Sequence, residues 1–251
     1  MLPHACPRRR YRVVLEDVGE RLQLCLGYAA LFGALDGALS GIGALHAAGL
    51  LHGDVGAHSI LRVRRAGSAG HMGVVVDVDC AAADMRAGTM PFMAVEVMFR
   101  QYHIASVTRE LLSAPAPPFR SHVFHDVEAV WWICLWFLCC YAPAASTIRR
   151  GLDHPLDALH RVLGTVLPPS MHPALTVELF EWQMAIKERK GAVYRRCVDM
   201  DGRVIAGESP ALVEDGRLVL QRMIQAVGEH SDLQRAVASV HPKKLGNEDS
   251  V

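Results

Sequence analysis

Lysine and asparagine are scarce in this chain. Its lysines are Lys187, Lys190, Lys243 and Lys244, and its single asparagine is Asn247. No ammonium side chain is therefore available before residue 187, and no asparagine can serve as a ligand before residue 247. The excess of arginine among the cations reads as codon bias. The seven cysteines contain no CxxC pair, so the common zinc and redox spacings are absent; the adjacent Cys139 and Cys140 lie in an apolar run and read as reduced, buried thiols. The 13 histidines show no HExxH spacing. Net charge is lacking as well, with 26 cationic against 26 acidic residues, which argues against broad electrostatic binding to nucleic acid or anionic lipid. Met1 to Arg12 is basic, but no apolar signal-type core follows it, so no secretion signal is read and an intracellular location (cytoplasm or nucleus) is expected.

What is present is a globular composition, 51% hydrophobic and 21% charged. At 251 residues the chain is long enough for one domain with a substantial core. Its boundaries read as a basic segment over 1–10, one domain over 11–240 and a polar tail over 241–251. Arg12-Val13-Val14-Leu15 is a short β-type run, and Glu16 to Gly19 reads as a turn. From about Glu20 to Leu51 the spacing of Leu31, Leu35, Leu39, Ile42 and His46 predicts a long helix with a buried face. Gly33, Gly37 and Gly41 weaken it by about 1 kcal/mol each relative to alanine, and they permit close helix–helix approach. Ile60 to Val63 and Gly73 to Val76 read as two strands of a hairpin. Residues 80–120 read mostly as loop. Further helices are expected from near Asp126 to Pro143, and around 153–166, 172–190 and 209–240. The stretches 22–51 and 129–145 are apolar enough to raise a membrane span. The second matches only the shortest spanning helices, of roughly 17 residues, and neither has a flanking bias of basic residues. Buried core helices explain both, and no membrane partner is expected.

The informative constellation begins at His52-Gly53-Asp54. Ser59 follows five residues after Asp54, and the hairpin then leads to Asp77-Val78-Asp79. Phosphoryl transfer needs one carboxylate to meet an incoming hydroxyl and another to hold Mg²⁺ on the nucleotide phosphates. A short hairpin that carries both on rigid supports meets that requirement. Aspartates also form turns readily, so this pair alone is only moderately specific. Two further blocks raise the specificity: Gly88-Thr89-Met90-Pro91-Phe92-Met93-Ala94-Val95-Glu96, and His125-Asp126-Val127-Glu128 ahead of Trp131 and Trp132.

The first of these blocks resembles the end of a protein-kinase activation segment, Gly-Thr-x-x-Tyr-Met-Ala-Pro-Glu. The second resembles the His-Asp-Leu-Glu-Ser opening of the central helix in fungal-type protein kinases. With the HGD and DxD motifs in the same order, the chain resembles that family from about Arg12 to the helix after Pro143. The resemblance implies an α+β, protein kinase-like fold, mainly the helical C-lobe with its catalytic-loop hairpin, and with the N-lobe sheet largely missing. It also implies ATP and Mg²⁺ as cofactors and a fungal source. By resemblance, His52 and Asp54 belong to the catalytic loop, Asp77 binds the metal, and Ser59 stands at the second ligand position. Thr89 contacts the catalytic aspartate, Glu96 anchors the activation segment, and Asp126 braces the catalytic loop. Leu15, Glu16 and Val18 fall where the hinge meets adenine.

The sequence departs from the family pattern in several places. No Gly-rich loop or phosphate-pairing lysine precedes the hinge, Ser59 replaces asparagine, Gly53 replaces arginine, and Val95 replaces the proline of Ala-Pro-Glu. Loss of one preorganised contact to a transition state typically costs about 10²–10³ in rate. With several lost, the isolated chain is expected to be a poor catalyst. Three readings follow: a Ser/Thr-type protein kinase domain, a pseudokinase serving as a binding module, and an aminoglycoside- or choline-type small-molecule kinase. The HGD and DxD forms suit the last, whereas the Thr89 to Glu96 block belongs to enzymes with protein substrates. A protein substrate or partner is expected at that block, and another at the apolar face around Leu15 and Val18 that an N-lobe would cover.

Overall fold

A small sheet and a set of helices share one hydrophobic core in the computed structural model, which describes residues 18–25, 27–64, 71–78, 89–102, 119–140, 172–196 and 205–236. Strands β1 (Gly19–Arg21), β2 (Ile60–Arg64) and β3 (His71–Val75) form an antiparallel sheet in the order β1-β2-β3. Gly19 pairs with Val63, and Ile60 pairs with Val75. The hairpin expected from Ile60 to Val76 is thus present, and β1 adds a third strand. The turn expected over Glu16 to Gly19 gives way at Gly19, which opens β1. Its lack of a side chain matters, because a Cβ there would lie 2.7 Å from Leu61 Cβ across the sheet.

The first helix starts later than its periodicity suggests. After β1 the chain makes a 3₁₀ turn over Leu22–Leu24, and α1 runs from Tyr28 to Ala47. Gly27, at φ 125°, occupies a conformation open only to glycine and interrupts any continuous helix from Glu20. At the other end, Gly49 (φ 76°) closes α1: its N–H reaches His46 O at 2.9 Å, and Leu50 N–H reaches Leu45 O at 2.9 Å. These are the two bonds of a Schellman cap. Leu31, Leu35, Leu39, Ile42 and His46 are all buried, as the spacing requires. Among the described helices, α1 is long and apolar enough to cross a bilayer; here that apolar surface packs on β3 and on the later helices.

Of the three glycines expected to permit helix–helix approach, Gly37 and Gly41 face β3 instead and Gly33 faces open space. A Cβ on Gly37 would lie 2.6 Å from the backbone N and O of Gly73 in β3, and a Cβ on Gly73 would lie 1.7 Å from Ala34 O. Backbone therefore meets backbone, and α1 lies directly on the strand that leads to Asp77.

The remaining elements are α2 (Val95–Phe99), α3 (Val123–Cys140), α4 (Pro173–Arg196), α5 (Ser209–Glu229) and α6 (Ser231–Ala236). The region between the hairpin and α3, expected to be mostly loop, contains α2 and a 3₁₀ turn over Met90–Phe92. The single helix expected over 209–240 breaks at His230, whose backbone is extended (φ −110°, ψ 105°). The helix expected around 153–166 and the strand at Arg12 to Leu15 lie outside the described residues. Helix α3 carries the aromatic centre of the core: Phe124, Trp131 and Phe137 are buried, and Trp131 Nε1 donates to Leu179 O of α4 at 2.9 Å. Cys25 and Cys134 are free and buried. The architecture is dominated by helices with one small antiparallel sheet, which fits the α+β class.

Candidate active site

The loop after α1 is shaped by a single buried carboxylate. Asp126 of α3 accepts the N–H groups of His52 (2.8 Å) and Gly53 (3.0 Å), and also accepts from His46 Nε2 at 3.0 Å. His46 in turn pairs through Nδ1 with Ser209 Oγ of α5 at 2.6 Å. Burial pushes the Asp126 carboxyl up, but the bonds from His46, Gly53 and His52 outweigh it, and its pKa lies below the ordinary range. Gly53 takes φ 76°, a left-handed conformation that explains glycine at this point of the loop.

His52 stitches the loop to the hairpin. It is fully buried, its Nδ1 accepts Asp54 N–H at 3.3 Å, and its Nε2–H donates to Val76 O at 2.9 Å. Val76 N–H bonds Ser59 O at 2.9 Å. The residue before Asp77 is thereby tied at both ends to the segment that carries Asp54. Asp77 itself is exposed and adopts φ 62°, a left-handed backbone that aspartate tolerates better than most residues.

Asp54 is half-buried and receives two hydrogen bonds on one oxygen. Thr89 N–H lies 2.7 Å from Oδ1, and Thr89 Oγ1 donates to the same oxygen at 3.1 Å. His58, a neighbour the motif reading passed over, places Nδ1 3.4 Å from Thr89 Oγ1, with its ring over Gly56. Ser59 is fully buried. Its hydroxyl accepts Gly56 N–H at 2.9 Å and faces the carbonyls of Gly56 (3.0 Å) and Asp54 (3.4 Å). In this arrangement Ser59 supports the loop. Between Gly53, Val55, Phe92 and Ala94 lies a cavity of about 20 Å³, room for one water rather than a ligand.

The segment after Thr89 is fixed by a second buried network. Phe92 packs edge-on against Trp136 of α3, with ring centroids 5.7 Å apart. Glu96, 1% exposed, accepts from His125 Nε2 (3.1 Å) and Tyr194 Oη (2.7 Å) and pairs with Lys190 Nζ at 3.2 Å. Lys190 also reaches Glu128 at 2.7 Å, and Glu128 accepts Val95 N–H at 3.2 Å. Valine in place of proline at 95 therefore supplies a donor that proline lacks. Burial pushes Glu96 up, while the bonds from His125 and Tyr194 and the Lys190 charge bring its pKa down to about 2. Lys190 is raised: burial opposes its charge, and Glu128 and Glu96 more than compensate.

His125 Nδ1 accepts His122 N–H at 3.1 Å, so its ring proton sits on Nε2, toward Glu96. His122 donates from Nε2 to Tyr194 Oη at 2.8 Å, and its buried Nδ1 has no partner. Burial lowers both ring pKa values. Lys190 and Tyr194 lie far along the chain from the motifs, and no local pattern marks them.

Leu15 and Glu16 lie outside the described residues, and Val18 is 88% exposed. The structure brings His52, Asp54, Ser59 and Thr89 together, and ties the residue before Asp77 to them. Glu96 and Asp126 hold the surroundings. The buried carboxylate of α3 thus braces the loop of Asp54, and the segment from Thr89 to Glu96 is anchored beside it. Residues 5–139 match the family described as fungal protein kinase, and the chain belongs to that family. No curated protein matches it.

Proposed function

We propose that this domain transfers a phosphoryl group to a hydroxyl on a protein substrate, with Mg²⁺ and ATP bound at the hairpin. The observation that carries the reading is the double donation from Thr89 to Oδ1 of Asp54, which fixes the carboxylate and leaves Oδ2 for a substrate hydroxyl. Asp54 Oδ2 would accept the proton of the substrate hydroxyl, whose own oxygen would join the γ-phosphorus while the β–γ bridging oxygen left with the bonding pair. Mg²⁺, when bound, neutralises charge on the phosphates.

The residues present fit a hard cation in part. Asp77 offers an exposed carboxylate, a suitable oxygen donor. Ser59, the second ligand expected by resemblance, has its hydroxyl engaged by the loop backbone. Asp77 is therefore the ligand we assign, with Ser59 holding the loop in shape. The Thr89–Glu96 segment, anchored on α3 and α4, is the surface for the protein substrate.

A second reading is favoured by one observation. Lys190, the lysine that contacts the anchored segment, is buried between Glu96 and Glu128 and is not available to phosphate. The same anchored segment then serves as a docking surface without transfer. Calorimetric titration of ATP into the 251-residue chain, with and without Mg²⁺, separates the two. The phosphotransferase reading expects Mg²⁺-dependent binding that Asp77→Asn abolishes and Asp54→Asn retains, while both variants lose transfer to a serine-containing protein. Absence of Mg²⁺-dependent binding in the wild-type chain leaves the docking module.

A further inference from the structure

Away from this site, three helix ends converge on a group of side chains that the catalytic reading does not use. His172 immediately precedes α4, His230 forms the break between α5 and α6, and Asp232 lies in the first turn of α6. One ligand-capable atom from each lies within 4.8 Å of the other two. The rings of His172 and His230 have centroids 4.5 Å apart at a tilt of 55°, an arrangement that is neither stacked nor hydrogen-bonded.

The distance between His172 Nε2 and Asp232 Oδ2 is the telling quantity. At 3.5 Å it is long for a charge-assisted hydrogen bond, which closes to about 2.7–2.9 Å. Two ligands bound at about 2.0–2.1 Å to one tetrahedral ion are separated by about 3.3–3.4 Å. The spacing therefore suits a shared cation better than direct contact. Two imidazoles with one carboxylate select a borderline transition metal over Mg²⁺ or Ca²⁺, which prefer oxygen donors alone. His172 and His230 are half-buried and the Asp232 side chain is 67% exposed, so solvent ions can reach the group and water can complete the coordination.

We propose that His172, His230 and Asp232 form a divalent transition-metal site, with Zn²⁺ the best-matched ion. His172 Nδ1 accepts Ala174 N–H at 3.3 Å, so the ring proton of the metal-free state sits on Nε2. Coordination at Nε2 moves that proton to Nδ1 through exchange with solvent and gives up this one long bond. In return the ion ties the start of α4 to the break between α5 and α6, where extended backbone replaces helix.

The test uses the whole chain after treatment with a chelator. Zn²⁺ is expected to bind at one equivalent and to raise the unfolding temperature, whereas Mg²⁺ at the same concentration leaves it unchanged. Co²⁺ in place of Zn²⁺ is expected to give the visible absorption of a four- or five-coordinate site. His172→Ala and His230→Ala each remove the absorption and the thermal shift, while His58→Ala, at an exposed histidine elsewhere, keeps both. Binding that survives in His172→Ala and His230→Ala overturns the assignment, as does a wild-type chain that binds no Zn²⁺. Each variant's own unfolding curve without metal shows whether it is folded.

Discussion

The carboxylate of Asp126 serves three donors from two directions, and its value lies in that number. His52 N–H, Gly53 N–H and His46 Nε2–H all end on it, in a site where the residue is 4% exposed. Asp126→Ala strands three donors at once, two of them buried and the third partly so. Removing one partner of a buried charged network costs about 3–5 kcal/mol, so Asp126→Ala is expected to lower the urea midpoint by that equivalent. A loss under about 1 kcal/mol, the scale of a single neutral hydrogen bond, would refute the role given to it. Asp54, Thr89, Glu96 and Asp126 were legible because each sits inside a short linear motif. Their partners were not. Ser209 lies 163 residues from His46, and Tyr194 lies 98 residues from Glu96, so only folding makes them neighbours. Lys190 belongs to a rare residue type in this chain, yet nothing in the local sequence directs it to Glu96 and Glu128.

At the scale of elements, glycine has opposite meanings in a helix and in the strand it packs on. A Cβ at Gly33 of α1 meets nothing within 4 Å, whereas one at Gly73 of β3 would lie 1.7 Å from Ala34 O. Gly33→Ala is therefore expected to stabilise the chain by up to about 1 kcal/mol through helix propensity. Gly73→Ala forces α1 off the sheet, an overpacking of backbone that costs at least about 1–3 kcal/mol. Thermal melts of the two variants should move in opposite directions; a Gly73→Ala variant as stable as the parent would show that α1 does not rest on β3. The hydrophobic period placed the buried face of α1 correctly but misplaced its start, because periodicity does not register the backbone of Gly27. The same limit hid the break at His230, which lies in its extended backbone, and the strand at Gly19, which depends on pairing with β2.

For the whole molecule, buried titratable groups set a stability profile with two acid steps. His122 and His125 are neutral in the fold and their pKa values are lowered, chiefly by burial. Below about pH 6.5 the unfolded chain takes up protons that the folded chain resists, so stability begins to fall there. Glu96, Asp126 and Glu128 are also lowered: against burial, Lys190 and hydrogen bonds prevail at Glu96 and Glu128, and the bonds from His46, Gly53 and His52 prevail at Asp126. Their contribution is present above the unfolded carboxylate value of about 4.3 and is lost as pH drops toward the Glu96 value of about 2. Lys190 and Tyr194 are raised, so what they add is complete below about pH 10 and is lost above it. Melting temperature is expected to be flat from about pH 7 to 8, to decline above about 8.5 as the unfolded Cys25 thiol ionises while burial holds its pKa up in the fold, and to show a shoulder below about 6.5 and a steep fall below about 4.3. A curve flat down to pH 5 would contradict the neutral, buried histidine pair.

The contact between Gly37 and Gly73 also bears on how the site vibrates. Side chains between a helix and a strand act as a compliant layer, because their rotamers absorb small displacements. Here two main chains touch with no such layer between them, four residues before Asp77. Helix and hairpin therefore behave as a single stiff lever. The loop of Asp54 and the turn of Asp77 are thus expected to move together, which preserves their mutual geometry.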